Sequence, residues 1–312
     1  MERKVIIYTD IKDYPHLTLV TNKNASGFPY DINESQFHNF VKWKQQLYDE
    51  NILTNFNYYD DYYLLKFLRA RKFDLKKTMI MFKNFLEWRQ KENVDNIETI
   101  FKFNERPQVK EYYPNGYHKV DKEGRPIYIE LLSEVKLKEL FSIVSDQRLV
   151  LNYIQDYERI MKYRFTACSK LKGERVDQTF TILCVKGIGL SHLVGKTKKF
   201  LTLATSIGQD YYPENMGVMF LINASVFFAA LWNIVKGFID EKTRKKIFVE
   251  DKGYLKKLLQ LIDADNLPKI LGGNCTCSHV PGGCLFSDIG PWNPKGGMPP
   301  QKNSINKDNK AW

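Results

Sequence analysis

The chain has 312 residues and a formal net charge of +11, so it is long enough for one large domain or two modest ones. Aromatic residues make up 14% of it, which excludes a disordered basic chain; the surplus charge suits a nucleic acid or an anionic membrane surface. The opening MERKVIIYTDIKDY is too short and interrupted for a secretory signal, and five cysteines, an odd number, fit a reduced cytosolic protein.

Residues 1 to 32 are polar without a clear period and read as a mostly irregular arm. Asn33-Glu34-Ser35-Gln36 has the form of a capping box and predicts a helix to about residue 50. Asp60 is placed to cap a second helix through DYYLLKFLRARKF, with the basic run Arg69-Ala70-Arg71-Lys72 at its end, where cations favour the helix dipole. Asp74 caps a third, with Leu75, Met79, Phe82, Phe85 or Leu86, and Trp88 near one face. These elements make residues 34 to 98 a small helical subdomain.

The character changes after Tyr112. Residues 117 to 120, a turn at Asp121-Lys122-Glu123-Gly124, and the alternating Ile127, Ile129 and Leu131 predict a β-hairpin. A long amphipathic helix is expected from Ser145 to Ser169, then a strand from Thr179 to Val185 and a helix from about Leu190 to Ile207. A strand at Val218 to Ile222, a strand at Ile247 to Val249 and a helix from Leu255 to Ile262 follow. Strands separated by helices imply an α/β domain over residues 99 to 288, with a parallel or mixed sheet. Residues 289 to 312 are rich in Pro, Gly, Asn and Lys and read as a tail.

Residues 215 to 235 carry no formal charge, a length that could cross a bilayer. The run breaks at Asn223-Ala224-Ser225, however, so it reads as a strand, a turn and a helix from Ser225 to about Ile239. That helix is apolar nearly all round, with Phe227, Phe228, Leu231, Trp232, Val235 and Phe238 among its residues. Such a helix is either buried on most sides or covers something oily. The cluster Glu241-Lys242-Thr243-Arg244-Lys245-Lys246 follows it. An apolar lid beside a cationic collar suits a ligand with greasy chains and a phosphate; a packed core helix beside a solvated charge run is the plainer alternative.

Enzyme motifs fail on spacing. After the strand ending at Val185, the run Gly187 to Thr197 has Leu190 where a phosphate-binding loop needs its first glycine, and His192 where a dinucleotide fingerprint needs Gly or Ala. No Gly-x-Ser-x-Gly occurs, and His16, His38, His118, His192 and His279 form no His-Glu-x-x-His. Cys275, Cys277, His279 and Cys284 could make a metal site, but Cys-x-Cys-x-His is tighter than usual zinc spacing; the loop is read as structural, and neither metal nor cofactor is expected. No nucleic-acid-binding signature appears, and the basic residues alternate with acids.

The segments LLKFLRARKFDLKKTMIMFKNFLEWR, YHKVDKEGRPIYIELL, QDYERIMKYRFTACSK, GQDYYPENMG, FLINAS, KKIFV, LPKILGG and SDIGPW, in this order over residues 34 to 293, resemble the CRAL-TRIO lipid-binding family, especially its fungal-type phosphatidylinositol/phosphatidylcholine transfer proteins. The resemblance implies a helical N-terminal subdomain and a lipid pocket floored by a mixed five-stranded sheet. It makes the helix 225 to 239 a mobile gate. It also implies phosphatidylinositol recognition by Arg71, Lys72, Glu214, Thr243 and Lys246, and phosphatidylcholine recognition by Tyr117, Tyr128, Tyr157, Thr179 and Thr181.

Further implications are a monomer in the cytoplasm that exchanges phospholipids, touches anionic Golgi or other endomembranes transiently, and presents phosphatidylinositol to a phosphatidylinositol 4-kinase. A carrier of a sterol or tocopherol-like ligand on the same fold is the alternative. The sequence departs from the family at Ser225, where Pro is usual, at Gly237, also usually Pro, and at Thr179, where Ser is usual. Cys184 replaces a frequent Asp and Asn215 a frequent Arg.

Overall fold

The structure, a computed structural model, describes residues 6–188, 195–239 and 241–297, without the side chains of residues 196–201, 203, 204, 234, 235 and 238. The chain divides into two compact units, Met1–Val94 with Gly208–Glu214, and Asp95–Ile207 with Asn215–Trp312.

The first unit is built on three helices with local sequence signals at each start. Helix α1 (Glu34–Asp49) opens on the capping box, Asn33 accepting from the Gln36 N–H and Gln36 from the Asn33 N–H. Asp60 and Asp74 cap α2 (Asp61–Ala70) and α3 (Leu75–Lys91) through the N–H groups of Tyr63 and Lys77. Helix α2 stops short of the Phe73 end expected, because Lys72 and Phe73 take positive φ. The buried face of α3 is Thr78, Met81, Phe82, Phe85 and Arg89, so Met81 and not Met79 points inward. Trp43, Phe67, Phe82 and Phe85 form an aromatic core, with Trp43 edge-on to Phe82 at 5.4 Å. The N-terminal arm carries a 3-10 turn at Ile11–Asp13 and the two-residue parallel strands β1 (Leu19–Val20) and β2 (Ile32–Asn33), and its Tyr14, Leu17 and Ile32 are buried.

The second unit holds a five-stranded mixed sheet in sequence order: β3 (Asn115–Val120), β4 (Pro126–Leu131), β5 (Thr179–Cys184), β6 (Met216–Ile222) and β7 (Ile247–Val249). The β3–β4 pair is the antiparallel hairpin and the other pairs are parallel. Short helices α4 (Ile97–Ile100), α5 (Arg106–Tyr112) and α6 (Leu137–Ile143) flank the hairpin in the chain. The long helix expected from 145 to 169 is α7 (Asp146–Arg159), a wide π-type turn at Ile160–Arg164, and α8 (Phe165–Lys172). A π-type turn inserts a residue into the helical ladder and re-aims the side chains around it, and such turns are frequent at functional sites.

Helix α9 (Gly195–Tyr211) precedes β6, and α10 (Val226–Val235) follows it, capped by the Ser225 hydroxyl on the Phe228 N–H. The expected helix to Ile239 is α-helical only to Val235, then tightens into a 3-10 turn at Lys236–Phe238. Then come α11 (Glu241–Arg244), α12 (Tyr254–Leu261) and α13 (Cys284–Ser287). Among the described residues no helix is long and apolar enough to cross a membrane.

Period-two alternation gives the sheet two faces. One carries Ile127, Ile129, Leu131, Phe180, Ile182, Cys184, Phe220 and Ile222, sealed by Leu258, Ile262, Leu267, Leu271 and Leu285. Each such side chain removed from water contributes about 1.5–3 kcal/mol, so this face anchors the unit. The LPKILGG segment reaches it through a turn only glycine permits: a Cβ on Gly273 would lie 2.0 Å from the Leu267 carbonyl oxygen. The tail expected from 289 is tied down over its first residues: Ile289 accepts from the Lys119 N–H, and the Trp292 indole donates to the Asp288 carbonyl oxygen.

Candidate functional site

The opposite face of the sheet carries the polar and aromatic residues. Register places Tyr117 across from Tyr128, and Tyr128 beside Thr181. The rings of Tyr117 and Tyr128 lie 5.1 Å apart, and the Thr179 and Thr181 hydroxyls 3.5 Å apart, with Thr179 donating to the Asn215 carbonyl oxygen. Helix α7 supplies Tyr153 and Tyr157, edge-on at 5.1 Å, and Tyr157 is near enough to Tyr117 to perturb its hydroxyl. The five residues assigned to one headgroup, Tyr117, Tyr128, Tyr157, Thr179 and Thr181, therefore share one region of the second unit.

Burial governs their chemistry. It pushes the hydroxyls of Tyr117, Tyr128 and Tyr157 above their ordinary value, so they stay neutral donors. Glu130, two residues after Tyr128 on the same face, accepts from the Tyr113 hydroxyl at 2.7 Å and the Tyr128 hydroxyl at 3.0 Å. Burial raises its pKa, and those two hydrogen bonds oppose the rise. Arg164 leaves the π-type turn with its guanidinium 4.2 Å from the Tyr117 ring and bonds Asp288 at 3.0 Å. Its Nε and Nη1 are buried and have no hydrogen-bond partner among the described residues. A neutral, hydroxyl-rich, aromatic face backed by a cation matches a zwitterionic headgroup.

Helix α10 covers β5 to β7 on this side. Phe228 and Leu231 are buried with Val185 and Leu221, and Trp232, Met219, Ile247 and Val249 pack around them. Its first turn faces outward: Val226 is 85% and Phe227 84% exposed. The helix is thus neither buried on most sides nor apolar surface only; it has an inner apolar face and an outer one. The side chains of Val235 and Phe238 lie outside the described residues.

The residues assigned to the second headgroup divide between the units. In the first, Arg71 caps α2, its guanidinium donating to the Ala70 carbonyl oxygen, and Lys72 follows exposed with φ 52°. Glu214 has φ 59°, and Arg69 Nε lies 3.8 Å from its carboxylate. Arg69 is 3% exposed and stacks 4.0 Å over Phe28, so the cation beside Glu214 belongs to the run whose sequence position suggests only helix capping. Positive φ at non-glycine residues is a local strain found disproportionately at ligand sites. In the second unit, Lys246 closes the end of α11, its N–H donating to the Thr243 carbonyl oxygen and its ammonium to the Met216 carbonyl oxygen at 3.3 Å.

Sequence reasoning missed Tyr113, Glu130, Tyr153 and Arg164. Glu130 could have been found, because Tyr128-x-Glu130 alternates with Ile127-x-Ile129 and so shares the polar face. Arg164 could not, because the π-type turn that aims it leaves no mark in the helical period. The cysteine loop also differs from expectation: His118 from β3, not His279, joins Cys275, Cys277 and Cys284. The near-miss glycine loop after Gly187 falls mostly on 189–194, outside the described residues.

Comparison with known proteins bears on this arrangement. The model of the CRAL/TRIO domain matches residues 110–273, and that of the CRAL/TRIO N-terminal domain residues 37–84. The chain is 40% identical over 278 residues to the Sec14 cytosolic factor of Schizosaccharomyces pombe, covering 88% of this chain and 93% of that protein. It is 38% identical to the SEC14 cytosolic factor of Kluyveromyces lactis, covering 90% and 92%. To the phosphatidylinositol/phosphatidylcholine transfer protein SFH12 of Arabidopsis thaliana it is 44% identical, over 75% of this chain and 43% of that longer protein. The crystal structure of Sfh5 superposes with a TM-score of 0.58 at 22% identity, covering 78% of this chain and 88% of that one, a likeness of fold.

Proposed function

The chain belongs to the CRAL/TRIO domain family, and from that premise we propose that it carries single phosphatidylinositol and phosphatidylcholine molecules between membranes. It acts as a carrier and not as an enzyme. The observation that carries the reading is the gathering of Tyr117, Tyr128, Thr179 and Thr181 on one sheet face with Tyr157 of α7 close by, on the same side over which α10 lays its apolar face. Neutral tyrosine faces accept a quaternary ammonium, while the Thr181 hydroxyl donates to the phosphodiester and the Thr179 hydroxyl turns from the Asn215 carbonyl oxygen to do the same. Phosphatidylinositol recognition falls to Arg71, Lys72, Glu214, Thr243 and Lys246, cations for its phosphate and a carboxylate for inositol hydroxyls.

The energetics favour exchange over extraction. Two acyl chains of roughly 30 methylenes gain about 25 kcal/mol from burial at about 0.8 kcal/mol each, far too much to give up to water. A protein interior offering similar burial makes a swap at the bilayer nearly isoenergetic, so no nucleotide is needed. The net charge of +11 draws the protein to anionic surfaces, where α10 opens as the gate. We place it as a cytosolic monomer visiting Golgi or other endomembranes and presenting phosphatidylinositol to a phosphatidylinositol 4-kinase.

Transfer of labelled phosphatidylcholine and phosphatidylinositol between vesicles tests the proposal. The double variant Thr179→Val, Thr181→Val loses two hydroxyls at constant volume, and phosphatidylcholine transfer should fall about 30- to 160-fold, from about 1–1.5 kcal/mol per hydrogen bond. Phosphatidylinositol transfer should persist. Equal loss of both lipids, or of neither, would remove the headgroup role from this face. Uptake of a sterol in place of either phospholipid would favour the other kind of carrier.

A further inference from the structure

Three cysteines and a histidine meet on the far side of the sheet from the tyrosines. His118 and Cys275, Cys277 and Cys284 each offer a ligand atom, and these four atoms lie within 4.8 Å of one another. Cys275 Sγ is 3.7 Å from Cys277 Sγ, and Cys277 Sγ is 3.9 Å from His118 Nδ1. A tetrahedral zinc with bonds of about 2.3 Å to sulfur and about 2.0 Å to nitrogen has edges of about 3.8 and 3.5 Å. We propose that His118, Cys275, Cys277 and Cys284 form a structural zinc site, with the metal tying β3 to the loop between residues 275 and 284.

The surroundings support a built site. His118 is 0% exposed, Cys277 5% and Cys284 7%. The imidazole Nδ1 has only long contacts, to the Ser287 hydroxyl at 3.4 Å and to Cys277 Sγ at 3.9 Å, and its Nε2 has no hydrogen-bond partner among the described residues. A fully buried ring so poorly satisfied by protein calls for another partner, and a cation on one nitrogen is the partner that three neighbouring sulfurs select. All five cysteines are free, so no disulfide competes for these sulfurs.

Access and charge also fit. A cavity of about 340 Å³, lined by Cys275, Cys277, Ser278, His279 and Lys119, leads to the sulfurs from solvent. Three thiols release their protons on binding, so the loaded site carries one net negative charge, and Lys119 stands beside it. Gly116, two residues before His118, lets the chain at Leu285 approach β3: a Cβ there would lie 2.5 Å from the Leu285 carbonyl oxygen. The cysteine loop lies beyond residues 110–273, which the CRAL/TRIO model matches, so membership of the family does not supply this site. The tight Cys-x-Cys-x-His spacing predicts a metal-free loop; the fold supplies His118 in place of His279, from more than 150 residues away.

Elemental analysis of the full-length protein, expressed with added zinc and purified without chelator, is the first test. One zinc per chain is expected, retained in His279→Ala and in Cys184→Ser, and lost in His118→Ala and in Cys277→Ser. Because those last two variants could fail to fold, cobalt is titrated into the wild-type protein after chelation. One equivalent should produce thiolate charge-transfer absorption and tetrahedral ligand-field bands, and added zinc should abolish both. Metal well below one equivalent together with a cobalt spectrum like that of the free ion would overturn the proposal. So would zinc kept by His118→Ala but lost by His279→Ala, or an intact mass showing a disulfide among the three cysteines.

Discussion

Phe227 offers the sharpest perturbation of the gate. It stands at the start of α10 with its ring 84% exposed, while its neighbour Phe228 is 8% exposed in the cluster with Leu231 and Leu221. Moving an exposed phenylalanine fully into an apolar phase gains about 1.5–3 kcal/mol, and nearly all of that gain is still available to Phe227. Phe227→Ala keeps only the Cβ, so membrane partition should weaken by about 1–2 kcal/mol, or about 5- to 30-fold. Sedimentation with vesicles of phosphatidylcholine and an anionic phospholipid measures it, and the unfolding midpoint should hardly move. Phe228→Ala should show the opposite pattern, a loss of up to about 3–5 kcal/mol in stability from the cavity it leaves. Unchanged partition in Phe227→Ala would mean that the outer face of α10 does not meet the bilayer, and the docking part of the account would fail.

Two further expectations concern buried ionisable groups. In Glu130→Gln the amide offers one acceptor where the carboxylate offered two, so either Tyr113 or Tyr128 must turn or lose its bond. Denaturant unfolding should show a loss of about 1–3 kcal/mol, and an unchanged midpoint would mean those bonds are not made in solution. Lys110 donates to the Leu285 carbonyl oxygen at 2.7 Å, and burial lowers its pKa from 10.5 to about 8. A depressed folded pKa places the stabilising difference above pH 10.5 and removes it as pH falls to about 8. Relative to Lys110→Met, wild-type stability should therefore rise by up to about 3 kcal/mol between those limits, and parallel pH curves would contradict it.

How far the molecule was legible from its sequence followed the range of each signal. The caps Asn33, Asp60, Asp74 and Ser225 act over three residues, and all four stand where the sequence puts them. The β3–β4 hairpin follows from alternating apolar residues and a short turn, and the later strands stand where their apolar runs put them; the order in which they pair has no such local signal. Helix faces were less secure: Met79 and Met81 are chemically identical, and only tertiary packing selects Met81. The π-type turn at Ile160–Arg164 keeps helical composition while shifting the register, which is why Arg164 escaped notice. Arg69 reads as a capping cation until Phe28 and Glu214 are brought beside it. The histidine nearest the cysteines along the chain was the wrong one, because cluster membership is set by sheet pairing and loop return, neither of which has a local signature.

The central claim is that one protein recognises two phospholipid headgroups through separate residues. Mass spectrometry of lipids co-purifying with wild type and with Lys246→Ala tests it most directly. The account predicts phosphatidylinositol and phosphatidylcholine on the wild-type protein, and loss of phosphatidylinositol alone in Lys246→Ala. Loss of both lipids together, retention of both, or a neutral isoprenoid in their place would contradict it.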